Sequence, residues 1–484
     1  MNRRMVCALI AILASACAPP TPEQQVIDDA VEAMGGAGRI RDVKALTIHG
    51  TGTAPNVGQN RTPDDELPVW RINEYTRRID LVNSRTRVQQ VREAQFLFAG
   101  DLVQRQTQGL DGDAAYNIGA NGMISRAGAA AARDRRTELL HHPVPFLRAI
   151  VDVDLTLSNL RAKAGERLVD IAMPGGDTTM TLGIDAVTHL PTRVISMAAN
   201  PNMGDVAIET RFSDYEDAGG LKLPRRLTTK MDYYLQLDLQ VANTAIDGDM
   251  ADLAIPAELK QAKPPEPPPV VVTVEPVAKG IWWLAGSGNH RSVVFEFDDH
   301  LVLFEAPLNE ARTKAVIDKA RTLSPKPLTK AIISHHHFDH SGGLRAAIAE
   351  GLTIVTHRSN EAFFRSLVGR QHTIAPDTLE KVRRLVMFEL VDDRLTLKDQ
   401  SMEVQLYYLL DNPREGTNIY AYVPRDRILV QADLYDATWL RHSWGENVLR
   451  NLERRGLKIE RSVPIHGVIE PFEQMVKTIK SKPR

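Results

Sequence analysis

One segment, residues 335–340, constrains this chain more than any other, and its sequence is His-His-His-Phe-Asp-His. Four of its six side chains are His and one is Asp, all of metal-binding type. Residues 328–334 have the pattern of a buried strand, and residues 341–347 have that of a turn opening a helix. The segment therefore follows the carboxyl end of a strand. Open α/β sheets gather their ligand sites at that edge, so this position favours a catalytic centre over a structural one.

Length and charge limit the class of protein. A chain of 484 residues is too long for one ordinary core, so two folded domains are expected. The composition, 43% hydrophobic and 25% charged, is that of a soluble globular protein. A formal charge of −2 gives no net positive potential that would attract a polyanion. We therefore expect a small-molecule substrate and no nucleic-acid partner.

Residues 1–17 have the pattern of an export signal. Arg3 and Arg4 precede an apolar run, residues 6–16, that is too short to span a bilayer as a helix. The run closes on Leu-Ala-Ser-Ala-Cys, which fits an Ala-x-Ala cleavage site and also resembles a bacterial lipobox with Cys17 as the acylated residue. The polar, Pro-rich residues that follow favour lipidation. This predicts an exported protein of the periplasm or cell envelope, anchored to a bacterial membrane, and the alternative is a plain periplasmic protein.

Cysteine usage restricts the chemistry of any metal site. The chain has two Cys, Cys7 and Cys17; cleavage removes the first, and acylation would consume the second. The mature body therefore has no internal disulfide and no thiolate ligand. A metal site must be built from His and carboxylate groups, which favours an ion such as zinc.

Two composition shifts divide the rest of the chain. Residues 25–254 contain strand-like segments separated by turn signals, opened by a short helix through residues 31–34, which predicts a β-rich domain with a bent antiparallel sheet. Residues 255–274 are Pro-rich and predict an extended, semi-rigid linker. Strand and helix patterns alternate over residues 275–484, which predicts an α/β domain able to bury its own core.

The helix followed by a bent sheet resembles the LolA-like lipoprotein-carrier half-barrel over about residues 30–246. The resemblance implies an apolar concave face for an acyl chain or for a protein partner that the sequence does not identify. The alternative is a spacer domain.

Residues 275–479 resemble the metallo-β-lactamase superfamily, whose signature is His-x-His-x-Asp-His. The signature is matched by His335, His337, Asp339 and His340, and supporting segments occur around Asp433 and His466. The resemblance implies an αββα sandwich in which His335 and His337 bind a first metal. It further implies that Asp339, His340 and His466 bind a second metal, with Asp433 bridging both.

The same resemblance implies a zinc-dependent hydrolase. Zinc lowers the pKa of bound water from 15.7 to about 7, and the hydroxide so formed would attack an ester-, thioester-, lactone- or phosphodiester-like substrate. Asp339 would orient that hydroxide or accept its proton. The resemblance does not select among these substrates, because one fold supports many reactions.

The chain departs from the family pattern at Arg414. Related sequences usually place a third His for the first metal there, and a guanidinium cannot ligate a cation because it stays protonated. We therefore expect one zinc ion, held by Asp339, His340, Asp433 and His466, rather than two.

Three outcomes follow from this substitution. In the first, Arg414 replaces the lost positive charge and serves catalysis by binding an anionic substrate or oxyanion. In the second, His290, His372 or His442 substitutes as a ligand, with His290 the best placed of the three, although a structural role is favoured for each. In the third, the domain has lost catalysis, and the chain is an envelope binding or lipoprotein-handling protein.

Overall fold

The computed structural model describes residues 19–96, 102–153, 155–173, 178–439 and 441–482. The expected export signal and Cys17 lie outside these residues. Within the described ranges, no helix combines the length and apolar character needed to cross a bilayer. Three sheets organise the described chain, one in its first half and two in its second.

The first half forms one large antiparallel sheet. Its strands are β1 (Ala45–Pro55), β2 (Val69–Asp80), β3 (Arg85–Ala94), β4 (Val103–Asp111), β5 (Ala114–Ile118), β6 (Ile124–Arg126), β7 (Thr156–Lys163), β8 (Glu166–Ala172), β9 (Thr179–Asp185), β10 (Pro191–Asn200), β11 (Gly204–Ala218), β12 (Leu221–Met231) and β13 (Tyr234–Ile246). The strand order is β6-β5-β4-β3-β2-β1-β13-β12-β11-β10-β9-β8-β7, so β1 and β13 pair in the middle. The β-rich antiparallel domain expected from the sequence is confirmed.

Four helices accompany this sheet: α1 (Pro22–Ala33), α2 (Ala37–Asp42), α3 (Ala129–Leu139) and α4 (Pro143–Asp152). Helix α1 starts earlier than predicted because Thr21 caps it, its hydroxyl accepting the Gln24 N–H at 3.1 Å. Ile79 of β2 and Val169 of β8 share one core with Phe146 of α4. Both arms of the sheet therefore curve around the helices. The resemblance to lipoprotein-carrier half-barrels stays a prediction.

The Pro-rich connector is less extended than the sequence suggests. Residues 257–261, between two prolines, form a short helix, α5 (Ala257–Gln261), because Ala, Glu, Leu, Lys and Gln are good helix formers. Ile255 donates its N–H to the Asp111 carboxylate at 3.1 Å, so the connector also packs on the first sheet. The next strand begins at Val272, within the predicted linker.

The second half contains two further sheets. The first is built in chain order from β14 (Val272–Ala278), β15 (Ile281–Gly286), β16 (Ser292–Glu296), β17 (Leu301–Phe304), β18 (Leu328–Ile332), β19 (Thr353–His357) and β20 (Phe388–Val391). The second is built likewise from β21 (Arg394–Lys398), β22 (Glu403–Tyr408), β23 (Ile419–Val423), β24 (Ile428–Gln431), β25 (Arg461–Pro464) and β26 (Glu470–Pro471). Pairing is parallel from β17 to β20 and between β24 and β25.

Seven helices belong to this half: α6 (Glu310–Ala320), α7 (Phe338–Ser341), α8 (Leu344–Ala349), α9 (Glu361–Val368), α10 (Thr378–Val382), α11 (Gly445–Arg454) and α12 (Phe472–Ser481). The core between the two sheets contains Phe304 and Val430. Helices α6, α8, α9 and α10 cover the outer face of the first sheet around Leu303, and α11 and α12 cover the second around Leu429. The layers therefore follow the predicted αββα order.

The ends of three strands position the candidate site. The His-rich segment follows β18, Asp433 follows β24, and His466 follows β25. In parallel strands the carboxyl ends meet at one edge of the sheet. Side chains far apart in sequence are therefore collected at the same edge of the sandwich.

The two domains pack directly against each other at the turn between β10 and β11. Met203 joins the apolar core of the second domain. Arg370 donates to the main-chain oxygens of Met203 and Asp205 and to the Asp232 carboxylate. Asp205 in turn accepts the N–H and the hydroxyl of Thr373 at 2.9 and 2.6 Å. The position of the first domain is therefore fixed by the second.

Gly204 allows the closest approach at this contact, which gives a testable prediction. Its φ is +70°, and a Cβ there would lie 2.1 Å from the Gln371 oxygen. Gly165 serves as the comparison, because its φ is +82° and nothing lies within 4 Å of a Cβ added there. We expect Gly165→Ala to cost about 1 kcal/mol of folding free energy, from backbone strain alone. Gly204→Ala should cost about 1–3 kcal/mol more, because it overpacks the contact. Chemical denaturation measures both, and equal losses would contradict the packing argument.

Candidate metal centre

The His-rich segment brings buried imidazoles together. His335, His337 and His340 are fully buried, and the ring centroids of His335 lie 4.5 Å from His337 and 4.2 Å from His340. The first two follow β18, and the one-turn helix α7 carries His340. Buried polar groups need partners, so the contacts of each ring nitrogen decide what this cluster can bind.

Two of the rings face main-chain carbonyls. His337 Nε2 lies 2.8 Å from the Asn60 oxygen, and His466 Nδ1 lies 2.7 Å from the Asn289 oxygen. A carbonyl can only accept a hydrogen bond, so both nitrogens carry the proton. In the neutral ring, the other nitrogen, His337 Nδ1 or His466 Nε2, keeps a lone pair that faces the centre of the cluster and can bind a cation.

The remaining two rings are held in a similar way. His340 Nδ1 lies 3.2 Å from Oε2 of the buried Glu305 carboxylate, whose Oε1 accepts the Ser334 N–H at 3.0 Å. His335 Nδ1 lies 2.9 Å from the Ser334 hydroxyl. An outer partner that fixes the ring tautomer is typical of metal-ligating His. Glu305 is a member of the site that the sequence did not indicate.

The inward atoms form a first donor set: His335, His337, Glu415 and Asp433. Their ligand atoms lie within 4.8 Å of one another. His335 Nε2 is 3.5 Å from Glu415 Oε2, and His337 Nδ1 is 3.3 Å from Glu415 Oε1. The His335–Asp433 distance, from Nε2 to Oδ2, is 4.0 Å. Two nitrogens and two carboxylates are ligands that zinc accepts.

The second donor set contains His340, Asp433, His466 and Asp339. His340 Nε2 lies 3.1 Å from Asp433 Oδ1 and 3.1 Å from His466 Nε2. Asp339 Oδ2 is 3.3 Å from His340 Nε2 and 3.4 Å from His466 Nε2. Two imidazole nitrogens that face each other and two carboxylates suit a shared cation. The four residues on which the single-zinc expectation rested therefore lie together.

The donor atoms fit a cation for a second reason. Among the described residues, His335 Nε2, His337 Nδ1 and both Glu415 carboxylate oxygens have no hydrogen-bond partner although they are buried. Burial raises the pKa of Glu415 well above its usual range and lowers that of His335 well below its own. Leaving such groups unsatisfied is costly, and a divalent cation would offset that cost.

Glu415 changes the interpretation of the Arg414 position. Asn412 Oδ1 accepts the N–H groups of both Arg414 and Glu415 at 2.9 Å, which turns the loop so that both side chains reach the centre. Glu415 contacts the two imidazoles, while Arg414 Nη2 donates to Asp433 Oδ2 at 2.9 Å. The first donor set therefore has a third side chain. A search of the sequence beside Arg414 for carboxylates as well as for His would have found Glu415.

The alternative histidines lie elsewhere. His290 Nε2 is 3.5 Å from Asp339 Oδ2, so it joins the second set rather than replacing a ligand of the first. His372 pairs with Asp377, and His442 stacks on Tyr435. Neither belongs to the donor groups found among the described residues.

His336, to which the sequence assigned no ligand role, faces away from the donor sets. Its Nδ1 lies 3.2 Å from the Thr417 hydroxyl and its Nε2 lies 3.3 Å from Asn60 Oδ1. Both ring nitrogens are therefore engaged by side chains outside the centre.

Asp433 links the two sets and adopts an uncommon backbone conformation. Its φ is +57°, in the left-handed region, just after β24. Gln431 supports this turn, because its Oε1 accepts the N–H groups of Leu434 and Tyr435 at 3.1 and 3.2 Å. Such a conformation costs on the order of 1–3 kcal/mol and is concentrated at functional sites. Here it places one carboxylate between the two donor sets.

Among the described residues, the second donor set is more exposed than the first. The side chains of Asp339 and His290 are 24% and 22% exposed, whereas that of Glu415 is 0% exposed. A small molecule can therefore approach the second donor set, while the first is enclosed.

A known protein family matches part of the second domain. Residues 285–394 match the sequence profile of the metallo-beta-lactamase superfamily. This confirms the resemblance for that segment. No curated protein sequence matches the chain.

Two solved structures that are similar to this chain each cover less than half of it. A metallo-beta-lactamase from Pontibacter korlensis is 14% identical and covers 44% of this chain and 100% of its own, with a TM-score of 0.35. The metallo-beta-lactamase FIM-1 from Pseudomonas aeruginosa, in a mono-zinc form, is 17% identical and covers 44% of this chain and 96% of its own, with a TM-score of 0.35.

The two donor sets make a prediction about metal content. Glu415→Gln keeps the shape of the side chain and removes its charge, so the first set loses an anionic ligand. We expect elemental analysis to give about two zinc ions per wild-type chain and about one in the variant. Glu460→Gln, which alters only an exposed pair with Arg427, should leave the content unchanged. Equal zinc content in Glu415→Gln and wild type would contradict a ligand role for Glu415.

Proposed function

We propose that this protein is a metal-dependent hydrolase with zinc as its cofactor. One observation carries the proposal: four imidazoles have their outward nitrogens engaged by protein groups and their inward nitrogens directed at carboxylates. Such preorganised donors favour cation binding because little rearrangement is needed. The solvent-facing second set is the place where a substrate meets the centre.

The chemistry divides between the cation and the chain. When bound, zinc supplies Lewis acidity that polarises a substrate oxygen and activates water near neutral pH. The chain supplies Asp339, whose partly exposed carboxylate contacts His290, His340 and His466. Although burial opposes ionisation, His340 and the hydrogen bonds to Asp339 hold its pKa well below the usual range. An ionised carboxylate here orients the attacking water and accepts its proton.

Arg414 supplies a fixed positive charge. Its Nη2 donates to Asp433 Oδ2 at 2.9 Å and to Gln59 Oε1 at 3.1 Å, and its Nε lies 3.2 Å from Glu415 Oε1. These contacts engage the guanidinium within the protein rather than with an incoming anion. We propose that Arg414 holds Asp433 and offsets the negative charge of the carboxylates, which makes it a positioning residue.

The substrate and the location belong to the same proposal. An ester-, thioester-, lactone- or phosphodiester-like small molecule suits a centre that polarises oxygen and activates water. The export signal and the Cys17 lipobox support a periplasmic or envelope enzyme anchored to the membrane by a lipid.

Hydrolysis is tested on a panel of ester, thioester, lactone and phosphodiester substrates with added zinc. We expect Asp433→Ala and His340→Ala each to lower turnover by at least about 100-fold. Loss of a residue that only hydrogen-bonds to a metal ligand already costs up to about that factor, and these variants remove a ligand itself. His49→Ala, at an exposed hydrogen bond to Thr76, serves as the control. Zinc binding without hydrolysis of any panel member would favour a non-catalytic binding protein, and turnover that resists chelators would contradict the proposal.

A second prediction concerns Arg414. Arg414→Gln removes the guanidinium charge that contacts both the Asp433 and the Glu415 carboxylates, so we expect the metal-free chain to lose about 3 kcal/mol of folding free energy. Zinc should recover much of that loss, because the variant repels the cation less. Thermal unfolding with and without zinc measures both. The same loss under both conditions would contradict the charge-offset role.

A further inference from the structure

A loop of the first domain reaches the metal centre of the second. It joins β1 to β2 and comprises residues 56–68, here called the β1–β2 loop. The Arg61 oxygen accepts the Gly416 N–H at 2.7 Å. Gly58 lies so close to the Phe338 ring that a Cβ would be 2.5 Å from it. The loop therefore packs against two of the three segments that carry the first donor set, the His-rich segment and the loop that contains Glu415.

Asn60 determines which nitrogen His337 offers to the centre. Its main-chain oxygen lies 2.8 Å from His337 Nε2, which must therefore carry the proton. The Asn60 side chain also contacts His336 Nε2 at 3.3 Å and donates to the Asp65 oxygen at 3.2 Å. A group outside the metallohydrolase domain thus fixes the tautomer of one of its donor histidines.

Gln59 connects the two donor sets. Its Oε1 accepts a hydrogen bond from Arg414 Nη2 at 3.1 Å, and its Nε2 donates to Asp339 Oδ1 at 3.1 Å. Only one orientation of the amide satisfies both a cationic donor and an anionic acceptor. The side chain therefore holds the guanidinium beside Asp433 and one oxygen of the solvent-facing carboxylate at the same time.

The loop is held by internal contacts and by the domain behind it. Asn56 donates its N–H to the Pro68 oxygen at 2.7 Å, and Arg61 pairs with Asp65 at 3.0 Å. The contact around Gly204 fixes the same domain at a second point. The position of the loop over the centre is therefore set by the docked first domain.

We propose that the β1–β2 loop is a working part of the metal centre, with Gln59 as a positioning residue for Arg414 and Asp339 and the Asn60 carbonyl as the acceptor that orients His337. The proposal rests on the metal-dependent function proposed above. It implies that the αββα domain alone has an incomplete centre, because two outer contacts of its donors come from the first domain.

The test uses cobalt(II) in the full chain, because its visible absorption depends on ligand geometry. Gln59→Ala removes both hydrogen bonds, and Gln59→Glu keeps an oxygen for Arg414 but loses the N–H that Asp339 accepts. We expect both variants to shift the cobalt spectrum and to weaken zinc binding about 10-fold or more, as loss of an outer partner does. Gln240→Ala, an exposed glutamine of the same domain, should leave both measurements unchanged.

A second variant displaces the loop without removing a polar group. Gly58→Ala introduces a Cβ against the Phe338 ring at a residue whose φ is +74°, whereas Gly165→Ala adds the same backbone strain in open space. We expect only Gly58→Ala to shift the cobalt spectrum, although both variants lower thermal stability. This comparison separates displacement of the loop from general destabilisation.

The outcomes distinguish this inference from the proposed function. A wild-type chain that binds neither cobalt nor zinc overturns both, because the loop then has no metal to serve. A wild-type chain that binds metal, with spectra and affinities unchanged in both Gln59 variants and in Gly58→Ala, overturns the role of the loop alone.

Discussion

The centre depends on one constraint: donor groups that prefer water are buried facing one another. Glu415 and His335 have inward atoms without a hydrogen-bond partner among the described residues, and Asp433 adopts a left-handed backbone conformation between the two sets. Each of these features costs free energy in the metal-free chain. Arg414 offsets part of the negative charge. A bound cation offsets the rest, so metal binding and stability of the second domain are coupled.

Sequence patterns predict the parts of the structure that depend on local order. The strand before the His-rich segment and the alternation of strands and helices follow from residue periodicity, and both are observed. The αββα arrangement of the layers was implied by the resemblance to the metallo-β-lactamase superfamily, not by periodicity. The early start of α1 and the helix in the Pro-rich connector were missed. Both helices depend on a few residues next to proline, such as the Thr21 cap of α1. The high proline content of these segments favoured an extended chain and outweighed those residues in the prediction.

The site was only partly predictable for a different reason. The inferred ligands lie in short motifs, whereas Glu415 takes its place through the turn that Asn412 imposes on the loop. The contact between Arg414 and Gln59 joins residues 355 positions apart, in different domains. No local pattern specifies such a contact, because it results from how two separately folded cores pack together. A contact of this kind is therefore recognised only in the three-dimensional structure.

The pairing of β1 with β13 has a consequence for how the domains are connected. These strands are antiparallel, with Leu46 opposite Ile246 and Thr53 opposite Asp238, so the chain leaves the sheet at the end away from the β1–β2 loop. The connector then crosses neighbouring strands at that end, since Asp252 pairs with Arg78 of β2 and Lys260 pairs with Asp111 of β4. The covalent connection and the functional contact thus lie at opposite ends of the first domain. The alignment of the two domains at the metal centre is therefore set by the contacts between them and not by the point at which the chain leaves the first sheet.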